Sequence, residues 1–204
     1  MIIKVCGMRE PENIRAVEAL GIDLMGFIFW PPSSRYVGEK PSYLPENCLR
    51  VGVFVDAPQS DILSTVEDFR LDVIQLHGHE TPEAIAAMKA RIPGVRLVKS
   101  LAVAGPEDLE QADAYADVCD AFLFDTKGKL PGGNGRQFDW SVLQRYQGRL
   151  PFLLSGGIGP DDAQRIQAFD VPGCIGIDLN SRFETAPGLK DVEALKTFIE
   201  TIRP

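Results

Sequence analysis

Eight short apolar runs, helical spacing between them and a near-constant repeat predict one fold class for this chain, an eight-stranded parallel (β/α)8 (TIM) barrel. The runs fall at 2–6, 24–29, 49–55, 73–76, 95–101, 121–124, 152–154 and 174–179. They are nearly continuous rather than alternating, as in parallel strands buried on both faces. Shared over eight units, 204 residues leave about 25 for each strand and helix, close to the lower size of this barrel. An open doubly wound sheet stops at about five or six strands. Nothing in the composition marks a linker, so 1–204 reads as a single domain.

The connecting elements follow in order. Residues 11–20 open with Pro11 and close at Gly21, a helix with proline in its first turn and glycine past its end. The second unit is weak, because 38–47 carries two prolines; its helix is expected to be irregular or shortened. Residues 59–69 and 81–92 have helical spacing, the latter opening on Thr81-Pro82 and stopping near Pro93-Gly94. The fifth unit, 106–115, is the other weak one, and 139–146, 160–169 and 190–202 complete the pattern.

Composition narrows the function. Hydrophobic residues make up 45% of the chain, enough for a core. The 21 Lys+Arg against 29 Asp+Glu give a net charge of −8 with no basic run, which argues against a nucleic-acid partner. No window reaches the roughly 18 apolar residues of a membrane span, and the N-terminus lacks the sections of a signal peptide. The protein is therefore expected in the cytoplasm, off the membrane. Cys6, Cys48, Cys119 and Cys174 form no CxxC pair, so free thiols are expected.

In such a barrel the chemistry sits on the loops after the strands. The first strand ends in Lys4-Val5-Cys6-Gly7-Met8-Arg9, which projects Cys6 into the mouth beside an uncluttered Gly7. A free thiol has a pKa of about 8.5, so work at neutral pH requires positive potential nearby. Lys4 lies on the same side of the strand, and Arg9 is a second candidate. The other three cysteines read as small buried hydrophobes. In the second loop two prolines deliver Arg35 toward the mouth, where its fork can hold a carboxylate. The fourth strand ends in His77-Gly78-His79-Glu80; with only two histidines in the chain, His77 reads as polar lining and His79 as surface, and no metal site is expected.

The sixth strand ends in Asp125, either a loop anchor or a catalytic carboxyl whose pKa desolvation would raise. The loop 130–136, with Gly133 and Asn134, is either a lid over a ligand or a flexible connection. The seventh and eighth strands run into Gly156-Gly157 and into Asp178-Leu179-Asn180-Ser181, where barrels of this class bind phosphate through backbone N–H groups. A thiol, a carboxyl, an arginine clamp and a phosphate cradle at one mouth suggest an isomerase for a phosphorylated acid.

At these same positions the chain resembles the phosphoribosylanthranilate isomerases of tryptophan biosynthesis. The resemblance spans KVCG at 4–7, GFIFWPPSSR at 26–35, VGVF at 51–54, QLHG at 75–78, FDT at 124–126, GGNGRQFDW at 132–140, LSGGI at 154–158 and DLNSRFETAPGLKD at 178–191. It implies a cofactor-free Amadori rearrangement of a small phosphosugar substrate, with Cys6 as general base and Asp125 as general acid. It further implies that Arg35 holds the anthranilate carboxylate and that Gly156, Gly157, Asn180 and Ser181 hold the phosphate. One departure stands out: the family's usual Ser-Gly-Val-Glu reads Ser181-Arg182-Phe183-Glu184 here. Another phosphosugar isomerase or epimerase on the same barrel, or a binding module without activity, are the competing readings; neither a monomer nor a homodimer is favoured.

Overall fold

The structure, a computed structural model, describes residues 1–128 and 137–203. Eight parallel strands close into a barrel: β1 (Ile2–Cys6), β2 (Leu24–Ile28), β3 (Leu49–Phe54), β4 (Val73–Leu76), β5 (Arg96–Val103), β6 (Ala121–Thr126), β7 (Phe152–Leu154) and β8 (Cys174–Leu179). Every apolar run of the sequence lies on a strand, because each buries both faces. One face of each strand meets the outer elements in a large core that includes Phe27, Phe54, Phe122, Phe124 and Trp140. The other face fills the barrel, where Cys6, Val51, Val53 and Val73 form a small separate cluster.

The outer layer is less regular than the sheet. Helices α1 (Pro11–Glu18), α2 (Gln59–Phe69), α3 (Pro82–Lys89), α4 (Gln111–Tyr115), α5 (Ala163–Gln167) and α6 (Val192–Ile202) are joined by short 3-10 turns. The two weak units differ from their neighbours for separate reasons. Residues 38–47 form no helix. Their prolines forbid the ladder, and the Glu18 carboxylate instead takes the backbone N–H groups of Glu46 and Asn47 at 2.6 and 2.5 Å. In the fifth unit a 3-10 turn, Pro106–Glu110, precedes a helix of only five residues.

Two expected helices are corrected. Residues 139–146 give a 3-10 turn, Trp140–Arg145, entered through the Asp139 carboxylate on the Ser141 N–H at 3.0 Å. Tyr146 then leaves the turn to pack edge-on against Phe124 and Phe152. The last helix begins at Val192, not at Lys190, since Asp191 caps it by accepting from the Ala194 N–H at 3.0 Å. Lys190 belongs instead to a hairpin, β9 (Glu184–Ala186) with β10 (Leu189–Lys190), that folds back over the mouth.

At the opposite end one device repeats. Asp23, Asp72 and Asp120 each stand one residue before an even strand or its first residues and accept the N–H of Ile3, Arg50 and Leu97 at 2.7, 2.8 and 2.7 Å. These carboxylates satisfy the backbone donors at the start of the odd strands, where no ladder partner is available.

Candidate active site

β1 and β8 are neighbours in the barrel, with Lys4 directly opposite Asp178. Both point inward and both are buried, so the pair is an obligatory one: Lys4 Nζ donates to Asp178 Oδ1 at 2.7 Å. Asp178 Oδ2 accepts from Ser155 Oγ at 3.1 Å, which ties the end of β7 to the pair. Cys6, two residues along from Lys4 on the same strand face, is 3% exposed and feels the charge of the same ammonium. Burial pulls Lys4 down, but Asp178 and Cys6 outweigh it and hold the ammonium above its ordinary value.

The expected thiol electrostatics are partly overturned. Burial pushes Cys6 above its ordinary value, with Lys4 and Lys190 pulling against that and Asp178 adding to it. The second cation is Lys190, which the sequence reading took for the start of a helix. Arg9 has other contacts, reaching Glu10 at 3.2 Å and the Ser34 carbonyl at 3.3 Å.

Arg35 lies over the same corner. Gly7, with φ +79°, leaves room for it: a Cβ there would stand 2.7 Å from Arg35 Cδ and 2.9 Å from Asn180 Oδ1. No L residue fits. The guanidinium fork is already half engaged, since Nε and Nη2 donate to the two oxygens of Glu184 at 2.8 and 2.7 Å. Among the described residues no group bonds to the edge carrying Nη1. Glu184 also accepts from Lys190 Nζ at 2.6 Å and from the Gly188 N–H at 3.1 Å. Burial raises the Glu184 carboxyl, but Arg35 and Lys190 outweigh it and hold it below the usual carboxylate range. Lys190 in turn donates to Asn180 Oδ1 at 2.7 Å.

Across the mouth, Asp125 ends β6 and is 7% exposed. Its Oδ1 accepts the Thr126 N–H at 2.8 Å, and its Oδ2 is 3.4 Å from His77 Nε2. Gly156, with φ +93°, packs against it: a Cβ there would lie 3.1 Å from Asp125 Oδ1 and 2.8 Å from the Thr126 nitrogen. Gly157 follows with φ +68°. The glycine pair therefore serves close packing against the carboxyl as well as opening a loop. Ser155 bonds to Asp178 and the next residue packs beside Asp125, so the hydrogen-bonded pair on β1 and β8 is tied to β7, the strand next to the one that carries Asp125.

Ser181 begins a 3-10 turn, Ser181–Phe183, directly after Asn180. Phe183 is buried against Phe198 at 5.0 Å, edge to face, which gives that half of the sequence departure a packing role. Arg182 is exposed and lies across Gly159, its Nε 3.2 Å from where a Cβ on that glycine would be. Gly133 and Asn134 lie outside the described residues. His79 is exposed and pairs with Asp56 at 3.1 Å, apart from His77. Among the described residues no three of His, Cys, Asp and Glu converge in a metal-ligand set. No helix among them is long and apolar enough to cross a membrane.

Lys190 and the second task of Glu184 are what sequence reasoning missed. Both lie in the quoted motif at 178–191, but only the hairpin returns them to the mouth. The only signal in the sequence was Pro187-Gly188, a turn placed to reverse the chain.

The fold and this mouth are those of a (β/α)8-barrel enzyme that carries a buried thiol and a buried carboxyl at its strand ends. Residues 3–201 match the family described as N-(5'phosphoribosyl)anthranilate (PRA) isomerase. The N-(5'-phosphoribosyl)anthranilate isomerase of Phocaeicola vulgatus is 52% identical over 203 residues, covering 100% of this chain and 98% of the relative. The phosphoribosyl anthranilate isomerase of Thermotoga maritima superposes with a TM-score of 0.84 at 31% identity, covering 100% and 99% of the two chains. A phosphoribosyl anthranilate isomerase solved in complex with reduced 1-(o-carboxyphenylamino)-1-deoxyribulose 5-phosphate gives 0.80 at 30% identity and the same coverage. The chain belongs to the PRA isomerase family and is an isomerase.

Proposed function

We propose that this chain converts N-(5'-phosphoribosyl)anthranilate to 1-(2-carboxyphenylamino)-1-deoxyribulose 5-phosphate, an Amadori rearrangement of tryptophan biosynthesis, with Asp125 as acid and Cys6 as base. The observation that carries the assignment is the placement of a buried thiol and a buried carboxyl near the ends of β1 and β6, with the hydrogen-bonded line Lys4–Asp178–Ser155 on the strands between them.

Protonated Asp125 gives its proton to the furanose ring oxygen. The C1'–O bond breaks, and the lone pair of the anthranilate nitrogen closes a Schiff base. The Cys6 thiolate then takes the proton from C2', and the electrons of that bond flow to the iminium nitrogen. The resulting enolamine tautomerises to the ketone. The substrate nitrogen is the electron sink, so the scheme uses no cofactor and no metal.

Binding follows the same geometry. The Nη1 edge of Arg35 takes the anthranilate carboxylate, a charge-assisted contact to a preset fork. The 5'-phosphate sits on the loops after β7 and β8, at Gly156, Gly157, Asn180 and Ser181, with Asp178 and His77 lining the space between. The reduced product in complex with the related isomerase carries both a carboxyl and a phosphate, which supports a site with two anion holds. The cytoplasm is where such a reaction would run.

The test is a steady-state assay in which phosphoribosylanthranilate is generated in situ and its fluorescence followed. Loss that depends on purified protein and disappears in Cys6→Ala supports the scheme. No loss with folded protein would transfer the assignment to a binding module or to another phosphosugar isomerase.

A further inference from the structure

Lys190 is a buried lysine with no place in the scheme above. Its side chain is fully enclosed, and its backbone is fixed at both ends by one residue: Asn13 accepts the Lys190 N–H at 2.8 Å and donates to its carbonyl at 2.9 Å. Such an anchor leaves the side chain one direction to take, toward the mouth. There Nζ donates to Glu184 and to Asn180, and the Asn180 oxygen lies 2.9 Å from where a Cβ on Gly7 would be. The ammonium is therefore bonded to the amide that packs on Gly7, the residue after Cys6.

The charge count around that corner is uneven. Lys4 is matched one to one by Asp178. Arg35 and Lys190 share the single carboxylate of Glu184, and among the described residues neither pairs with another acid. One positive charge is left over in a desolvated site, where an unmatched charge is costly. A thiolate at Cys6 supplies the missing negative charge.

We infer that Lys190 is a positioning residue for the isomerisation: held by Glu184 and Asn180, its ammonium supplies the positive charge that allows Cys6 to ionise. The inference rests on Cys6 being the base. The groups facing Cys6 are Lys4 from β1, Asp178 from β8 and Lys190 from β10. Asp178 opposes ionisation as burial does, and so offsets what Lys4 contributes; Lys190 brings no such penalty of its own. The groups facing Lys190 are Glu184, Cys6 and Arg35. Burial pulls Lys190 below its ordinary value while Glu184 and Cys6 hold it up, so thiol and amine contend for protons, and Glu184 favours the ion pair.

The experiment follows the ultraviolet absorbance of the thiolate against pH in substrate-free enzyme, each variant measured as a difference from the same protein carrying Cys6→Ala. That difference isolates Cys6 from the other three thiols. Lys190→Met, and Lys190→Gln, which keeps a hydrogen-bond donor without the charge, should raise the midpoint by about one pH unit or more, a tenfold loss of thiolate below it. Turnover at neutral pH should fall by a similar factor with a smaller change in KM, and Lys190→Arg should restore both. An unshifted midpoint in folded Lys190→Gln, with Cys6→Ala inactive, overturns the role of Lys190 alone. Full turnover in Cys6→Ala overturns the base assignment and this inference with it.

Discussion

The two halves of the barrel mouth handle charge in opposite ways. Around Cys6 stand five ionisable side chains in two groups, Lys4 with Asp178 and Arg35 and Lys190 with Glu184, paired at 2.6 to 2.7 Å. Around Asp125 there is a histidine at 3.4 Å, a backbone N–H at 2.8 Å and a glycine packed against the carboxyl. Among the described residues no lysine or arginine pairs with Asp125. The difference matches the opposite tasks that the proposed scheme gives the two halves. A buried thiol that acts as base has to lose its proton against the cost of desolvation, which calls for cations, whereas a group that acts as acid needs none.

The most direct way to break the comparison is to empty either half. Cys6→Ala and Asp125→Ala should each lower kcat by about a hundred- to ten-thousandfold, the range typical of a lost general acid or base. Circular dichroism and thermal melting should stay close to wild type, since neither side chain belongs to the large core between sheet and helices. Near-normal kcat in either variant would remove that residue from the scheme.

A second cut separates the charge network from the reacting groups. Glu184→Gln leaves Arg35 and Lys190 without their shared carboxylate and should cost about 3 kcal/mol of stability at neutral pH, as for other broken buried pairs. Its pH dependence has a definite sign. Arg35 and Lys190 overcome burial and depress the folded-state pKa of Glu184, so its contribution is complete above the unfolded value of about 4.3 and disappears as pH falls through the folded one. Wild type and variant should therefore differ in denaturant midpoint at pH 7 and converge in acid. A gap that stays constant down to low pH would mean that the carboxylate charge contributes nothing.

How much of this was legible in the sequence depends on whether a residue's partners are near it in the chain. The strands were legible because burial on both faces writes an unbroken apolar run, whereas the roles of Asp23, Asp72 and Asp120 emerge only when the neighbouring strand's backbone N–H is brought beside each carboxylate. Cys6, Asp125 and Gly156 were legible as residues at the ends of strands. The Lys4–Asp178 pair was half visible: each residue points inward on its own strand, but only closure of the barrel brings β8 against β1, 174 residues away. Lys190 was hidden altogether. Its burial depends on the hairpin and on Asn13, 177 residues away, and from the sequence alone it looks like a solvated lysine at the start of a helix. Among the outer elements the helices within 11–20, 59–69 and 81–92 were legible in place and type, whereas 139–146 was legible in place only, since a 3-10 turn and a short helix share their first residues and differ by packing.

Arg35 tests whether the charged half also binds. Glu184 takes one edge of the guanidinium, which fixes the orientation of the fork. Arg35→Ala should raise KM by roughly ten- to a hundredfold, the equivalent of one charge-assisted hydrogen-bonded pair of about 1.5–3 kcal/mol, with a smaller change in kcat. An unchanged KM would place the anthranilate carboxylate elsewhere.

The smallest expected effect concerns Arg182, the exposed side chain at the sequence departure. It lies over Gly159, just beyond the glycine pair, so its charge faces the loops proposed to hold the phosphate without being enclosed by them. An exposed charge acts through solvent and is screened within about 8–10 Å at ordinary ionic strength. Arg182→Ala should therefore raise KM by only about two- to fivefold in low salt, the range of an exposed ion pair, and the difference should vanish as salt is added. kcat should not move, because neither Cys6 nor Asp125 is in contact with this side chain. A change that survives high salt would mean that Arg182 closes onto the phosphate directly, and the charged half of the mouth would then extend to the phosphate loops.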